Sequence, residues 1–478
     1  MSLDLAVSSK EDLTLKLCTW LSALKYEDLP VDVVEMTKAS ILNSVGCGLS
    51  SSPSSLTASA KLYAALEPMT KIPRQATVLA VNEKATVDDA ALLNGLFMTA
   101  RFFDDTHLTT LSHPSGPPLS AGLAYAEAEG LSGKELIVAF AVGVEVGLAL
   151  TQALGLGPYK KGWHLTGIVG SFSAAATVAK LMKLDAAGMA RAMGHASSMA
   201  AGSRNVFATD TLIMHAGRAA QNGILAARLA RQEFTSTTHA LEKWVNLISV
   251  PGEEHYPEKI VHLLEEKNGK RDWALLENAF KPYPCGIVIH TLIDAAIEMH
   301  SFLFKDGKQR DPKDVLDIVS SVEATVSPMT IRLCGLPHPT KFTETMFSNY
   351  HGLAVGLFYG KAGISQFSDE AANDATVKAL RDRLLLKPDE SFRDNQAIVK
   401  FTYKGDGGTE TVKEIVIQYA TGSLEKPMTK QQLDDKFEDQ ALEGRLTPAN
   451  TKKAIEEFWN LEKAPNMQPL MRLLIPQS

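Results

Sequence analysis

At 478 residues, with 45% hydrophobic and 22% charged residues, the chain has the length for two domains and the composition of an ordinary globular protein. A net charge of -7 leaves no basic footprint for nucleic acid or an anionic membrane surface. Cys18, Cys47, Cys285 and Cys334 are too scattered for a zinc ribbon or an iron–sulfur ligand set and read as reduced thiols.

The N-terminus, MSLDLAVSSKEDL, has no apolar h-region, and its early acids argue against a transit peptide, so a cytoplasmic location is expected. Ser9 opens a predicted helix with Leu13, Leu17, Trp20, Leu21 and Leu24 on one face, and Pro30 starts a second with Val34, Ile41, Leu42 and Val45. A Ser/Pro cluster from 50 to 57 predicts a loop, followed by more helix and a brief extended piece, QATVLAV. Thr86 then caps a predicted helix with Asp88 and Asp89 in its first turn and Leu92, Leu93, Leu96, Phe97 and Ala100 facing inward.

Residues 103–116, FDDTHLTTLSHPSG, concentrate polar chemistry: Asp104, Asp105, Thr106, His107, Thr109, Thr110, Ser112 and His113. Pro117 and Pro118 suit the first turn of the following helix, so the segment is short and clamped at both ends. Rigidly held loops expose catalytic groups well, and a solvated turn with capping residues is the plainer alternative.

Ser132 and Glu135 form a capping box for an apolar helix through Leu150, and a buried Glu145 calls for a partner such as an arginine. The apolar run from Leu136 to Leu150 falls short of a bilayer span. In GLGPYKKGWHLTGIVGS, Lys160 and Lys161 precede His164, and the Ala/Ser/Gly-rich helix that follows belongs in the middle of a bundle. His215, Arg218 and Asn222 share one helical face, which reads as a satisfied buried network, with Arg218 able to neutralise a carboxylate ligand.

After Phe280 the pattern changes. KPYPCG is a rigid loop, and beyond the helix containing His290 the period becomes two, with Val322, Ala324 and Val326, then Val399, Phe401 and Tyr403. GDGG at 405–408 predicts a hairpin turn. This is an α+β unit, and after Gly422 the chain returns to charged amphipathic helices ending near Leu474.

GxxxxGK[ST], HExxH and GxSxG are absent, and no GxGxxG follows a strand. His107, His113 and the neighbouring acids have no recognised ligand spacing, so no metal is expected. Acid/base chemistry remains. His113 and His164 are its natural candidates, each structural if taken alone, and Lys160, Lys161 and Lys281 suit an anionic substrate.

FDDTH with HPSG, GWHLTG, MHAGRAAQNG followed by RLARQEFT, KPYPC with His290 and Asp294, FSNY at 347–350, and KPMT followed by Leu433 and KF together resemble the MmgE/PrpD family over nearly the whole chain. That family includes 2-methylcitrate dehydratase and cis-aconitate decarboxylase. The resemblance implies a mainly α fold, with a large helical domain built from both ends of the chain (1–278 and 424–478) and an inserted smaller α+β lid domain (279–423). It further implies a homodimer, a cleft between the domains, and no metal or organic cofactor. Family site positions carry over to Thr106, His113, His164, Lys281 and Tyr350.

Three positions depart from the decarboxylase pattern: Phe102 stands for an Asp, Leu212 for a Lys and Gly286 for a His. The resulting expectation is a cofactor-independent lyase that dehydrates a 2-alkylcitrate-like acid. His113 and His164 move protons, Lys281 and Tyr350 assist, and Thr106, Asp104, Asp105, Leu212, Phe102, Lys160 and Lys161 contact a di- or tricarboxylate. The alternatives are decarboxylation of cis-aconitate or a related unsaturated acid, isomerisation or epimerisation, and a non-catalytic carboxylate-binding scaffold.

Overall fold

The computed structural model describes residues 12–55, 57, 60, 75–207, 209–267, 270–304, 311–405 and 407–476. The expected helix start at Ser9, the N-terminal stretch MSLDLAVSSKE, most of the helix expected before QATVLAV, and Asp406 of the GDGG turn lie outside them. The protein is mainly α and divides into two compact units. One comprises Met1–Ala100, Asp104–Asn278 and Lys430–Ser478, the other Arg101–Phe103 and Ala279–Thr429.

The first unit opens with α1 (Leu13–Ala23), α2 (Val31–Ser50), α3 (Val87–Thr99), α4 (Gly116–Glu129) and α5 (Gly133–Leu154). It continues with α6 (Leu165–Leu181), α7 (Ala186–Ser197), α8 (Met214–Arg231) and α9 (Ala240–Ile248). Local chemistry sets several of these ends. The Thr86 hydroxyl accepts from Asp89 N, Ser132 and Glu135 form a reciprocal capping box, and prolines fill the first turn of α4. α6 packs against α4, α5, α7 and α8 and is buried along almost its whole length. Its small side chains allow this, since Ala174 and Ala175 lie directly against Gly223 of α8.

α5 spans 22 residues, longer than its apolar run, and so reaches the length of a membrane span. It is a core helix, with 94% of its most apolar window buried. Among the described residues Glu145 on it has no arginine partner, contrary to expectation: the backbone amides of Ala274 (3.3 Å) and Leu275 (2.8 Å) donate to its carboxylate instead.

The second unit contains α10 (His290–Phe304), β1 (Val319–Val326), α11 (Asn349–Tyr359), β2 (Leu384–Pro388), β3 (Ala397–Lys404) and β4 (Glu410–Ile417). The strand order is β4-β3-β1-β2, with β1 and β2 parallel and the other pairs antiparallel. Val322 faces Phe401 and Ala324 faces Val399 in register, all four buried, which is the period-two pattern made physical. This face shares its core with Leu292, Ile293 and Ala296 of α10 and Leu353 of α11.

α12 (Lys430–Glu443) and α13 (Pro448–Trp459) belong to the first unit. Lys436 Nζ donates to Asn43 Oδ1 of α2 at 2.6 Å, and Phe437 and Gln440 close over Gly46.

Candidate active site

The segment between α3 and α4 is held from within by Asp105. Its buried carboxylate accepts from the Ser115 hydroxyl, from Ser115 N (3.4 Å) and from Asn278 Nδ2 (2.6 Å), while burial pushes its pKa upward. Those partners commit Asp105 to the scaffold, and the expectation that its carboxylate binds substrate gives way to a structural role. His107 is likewise internal. Its Nδ1 meets Thr110 (2.9 Å) and Thr109 (3.2 Å), its backbone N donates to Ser112 O, and burial pushes its pKa down to about 4. Much of the polar density in this loop therefore serves to fold the loop.

The working product of that folding is His113. Its Nδ1 lies 2.7 Å from the Asp105 carbonyl oxygen, 3.3 Å from Thr106 Oγ1 and 3.6 Å from Asp104 Oδ2. A carbonyl oxygen only accepts, so the proton sits on Nδ1 and the lone pair on Nε2. Its backbone N donates to Thr166 Oγ1 (2.9 Å) in the first turn of α6. This contact ties the loop to the helix whose N-cap is His164.

His164 is buried, and its ring centroid lies 6.5 Å from that of His113. Its Nδ1 meets Nδ1 of His215 at 2.8 Å, and the edge of Phe207 packs on it at 5.3 Å. The Arg204 guanidinium lies 3.7 Å from the Tyr159 ring centroid and 5.4 Å from that of Phe207. Burial, then the proximity of His113, His215 and Arg204, hold the His164 pKa well below its ordinary value, and burial also lowers that of His215. The positive end of α6 acts in the same direction. The structure thus brings His113, His164, Thr106 and Asp104 together, with both imidazoles anchored through Nδ1.

The expected face of α8 separates. His215 joins His164, and Asn222 donates to Ser171 Oγ and Met199 O, but Arg218 is exposed and bonds Gln221, so it belongs to no buried network. Lys160 and Lys161 are exposed on a short helix, Lys160 paired with Glu253 at 2.9 Å. Leu212 is buried in the turn Asp210–Ile213 that leads into α8.

In the second unit, Lys281 is buried and its Nζ donates to Phe102 O at 3.0 Å. Phe102 has a left-handed backbone (φ 53) and sets its ring edge-on to Phe347. Tyr350 packs on the core of that unit. A Cβ at Gly286 would lie 2.7 Å from Cys334 Sγ, so a histidine there would require Cys334 to shift. Among the described residues, the metal-competent cluster is Asp12, His239 and Glu242, which contains none of the loop residues.

Arg204 and Phe207 were not legible as site residues. They lie in a stretch with no periodicity or motif, and the pairing of Trp163 with Ser203, with the bond from Arg204 Nη1 to Tyr159 O, holds them beside His164.

The MmgE/PrpD N-terminal domain model matches residues 15–255, and the MmgE/PrpD C-terminal domain model matches residues 283–462. The cis-aconitate decarboxylase-like protein oryM of Aspergillus oryzae is 27% identical over 455 residues, 89% of this chain and 90% of its own length. Human cis-aconitate decarboxylase is 27% identical across 80% of this chain and 79% of that protein, and cis-aconitate decarboxylase of Aspergillus terreus is 24% identical across 98% and 96%. With both domain models matched in chain order, the protein belongs to the MmgE/PrpD family.

Proposed function

We propose that the protein is a lyase acting on a small di- or tricarboxylic acid, and that it dehydrates a 2-alkylcitrate-like substrate. The observation that carries this reading is the pair of imidazoles 6.5 Å apart, each held through Nδ1 and each with an Nε2 that bonds no described residue. That arrangement lets one imidazole take a proton from the carbon next to a carboxylate while the other meets the oxygen that gains charge. In balance, the C–H bond breaks, its proton passes to an imidazole and its electron pair moves onto the carboxylate as an enolate. The neighbouring C–O bond then breaks, and the departing hydroxide takes the proton and leaves as water. Arg204, the cation felt by His164, is suited to a substrate carboxylate.

The names of the relatives favour a second reading, decarboxylation of cis-aconitate or a related acid, which passes through a similar carbanion. Product mass separates the two. Pure protein is incubated with methylcitrate, longer alkylcitrates and cis-aconitate, and the products are scored for loss of water or of carbon dioxide. Water loss is expected, rising with alkyl length because buried Leu212 offers an apolar contact worth about 0.8 kcal/mol per methylene. His113→Ala should lower kcat by roughly 10²–10⁴. Carbon dioxide release from cis-aconitate alone would replace this reading by the second, and undiminished turnover in His113→Ala would remove His113 from the chemistry.

A further inference from the structure

The two histidines present an Nε2 in the same way, but the groups behind them differ, and that difference separates their roles. Behind His113 stands the Asp105 carbonyl, which fixes the proton on Nδ1, with the Asp104 carboxylate 3.6 Å from the same nitrogen. Its Nε2 therefore carries a lone pair, and a carboxylate faces the positive charge that forms when this nitrogen takes a proton. Behind His164 stands another imidazole. The Nδ1 to Nδ1 distance of 2.8 Å holds one proton, carried by one ring and accepted by the other. If His164 carries it, His164 Nε2 is a second base. If His215 carries it, His164 is protonated on Nε2 and donates there.

We infer that His215 donates its Nδ1–H to His164, which fixes His164 as a neutral Nε2–H donor to the enolate oxygen and leaves His113 as the base. The inference rests on the lyase reading for its functional part, and for its tautomeric part on the 2.8 Å contact together with the burial of His164 beside Arg204 and His113. A base at His164 would have to become a cation in a buried position beside Arg204 and His215, with His113 one ring away. These are the groups and the burial that hold its pKa well below the ordinary value. A neutral donor incurs none of that charge penalty, because the proton stays on Nε2 while substrate charge develops against it. His215 suits the donor role because it lies in the first turn of α8, which the close crossing of α3 and α8 holds in place. It touches His164 and not the reacting atoms, so it is a positioning residue.

Two substitutions discriminate. In His215→Asn the new side-chain amide nitrogen stands near the place of imidazole Nδ1 and donates, whereas in His215→Asp the new carboxylate only accepts. His215→Asn should lower kcat by less than tenfold, and His215→Asp should lower it by about 10² or more with KM little changed. The opposite order would overturn the inference, because an acceptor behind His164 supports a base. In wild-type protein with ¹⁵N-labelled histidine, NMR should find His164 protonated on Nε2 and bare on Nδ1, and His215→Asp should reverse this. A wild-type His164 protonated on Nδ1 sinks the proposal whatever the kinetics. A wild type that holds the expected tautomer but turns over no carboxylic acid would sink the lyase reading and leave the hydrogen-bond assignment standing.

Discussion

Glu145 places its carboxyl in the core of the first unit against two backbone amides, and burial still dominates, pushing its pKa up to about 8. The folded state therefore binds a proton that the unfolded chain releases near pH 4.5. Stability from this group is full below that value, is lost as pH rises towards 8, and the difference is about 5 kcal/mol. Glu145→Gln keeps an acceptor for the amides of Ala274 and Leu275 and removes the titration. Its urea midpoint should match wild type near pH 5 and exceed it at pH 8.5, and an equal or lower midpoint at pH 8.5 would show that the carboxylate is well solvated. That this glutamate needed compensation was legible in an apolar helix. Its partners were not, because they are amides 129 and 130 positions away in a short irregular turn that no side-chain pattern marks.

At the level of elements, the imidazole pair depends on how α3 meets α8. A Cβ built on Gly95 would lie 2.7 Å from Gly217 Cα, and one built on Gly217 would overlap the Leu92 carbonyl oxygen, so the two backbones touch. α3 delivers the loop carrying His113, and α8 begins one residue before His215, so this crossing fixes the separation of the two functional ends. Gly217→Ala should destabilise by about 1–3 kcal/mol through overpacking and should lower turnover more than a surface substitution of equal stability cost. Thermal unfolding read beside kcat checks both, and unchanged values would mean that the helices part without consequence. The helix itself was readable from its caps and periodicity. The crossing was not, since Gly-on-Gly contact depends on which faces meet, whereas sequence spacing reports only which residues share a face.

For the molecule as a whole, the mainly α class follows from helical periodicity and capping, and the small sheet from the period-two runs around Val322 and Val399. Which histidines are interior was harder to read, because imidazole suits both core and surface, and burial decides how each titrates. His107 and His351 are pushed down to about 4, His164 lies well below its usual value and His215 is lowered, all chiefly by burial. Each is neutral when folded and takes up a proton near pH 6.5 when unfolded. Their contribution is therefore present above that pH and is lost as pH falls through each folded pKa, towards 4 for His107 and His351. Glu145 has the opposite slope, as has Asp105, but four imidazoles outweigh two carboxyls below pH 6.5, while above it Glu145 still falls. Stability should accordingly peak near pH 6.5 and fall on both sides of it. His351→Gln isolates one contribution, since the amide nitrogen of glutamine stands near imidazole Nε2 and can keep the hydrogen bond to Gln366 O without titrating. Its denaturation midpoint should exceed that of wild type at pH 4.5 and equal or trail it at pH 7.5. A wild-type midpoint that stays level from pH 6.5 down to 4.5, or a variant weaker at both values, would mean that these imidazoles meet water more freely than their burial indicates.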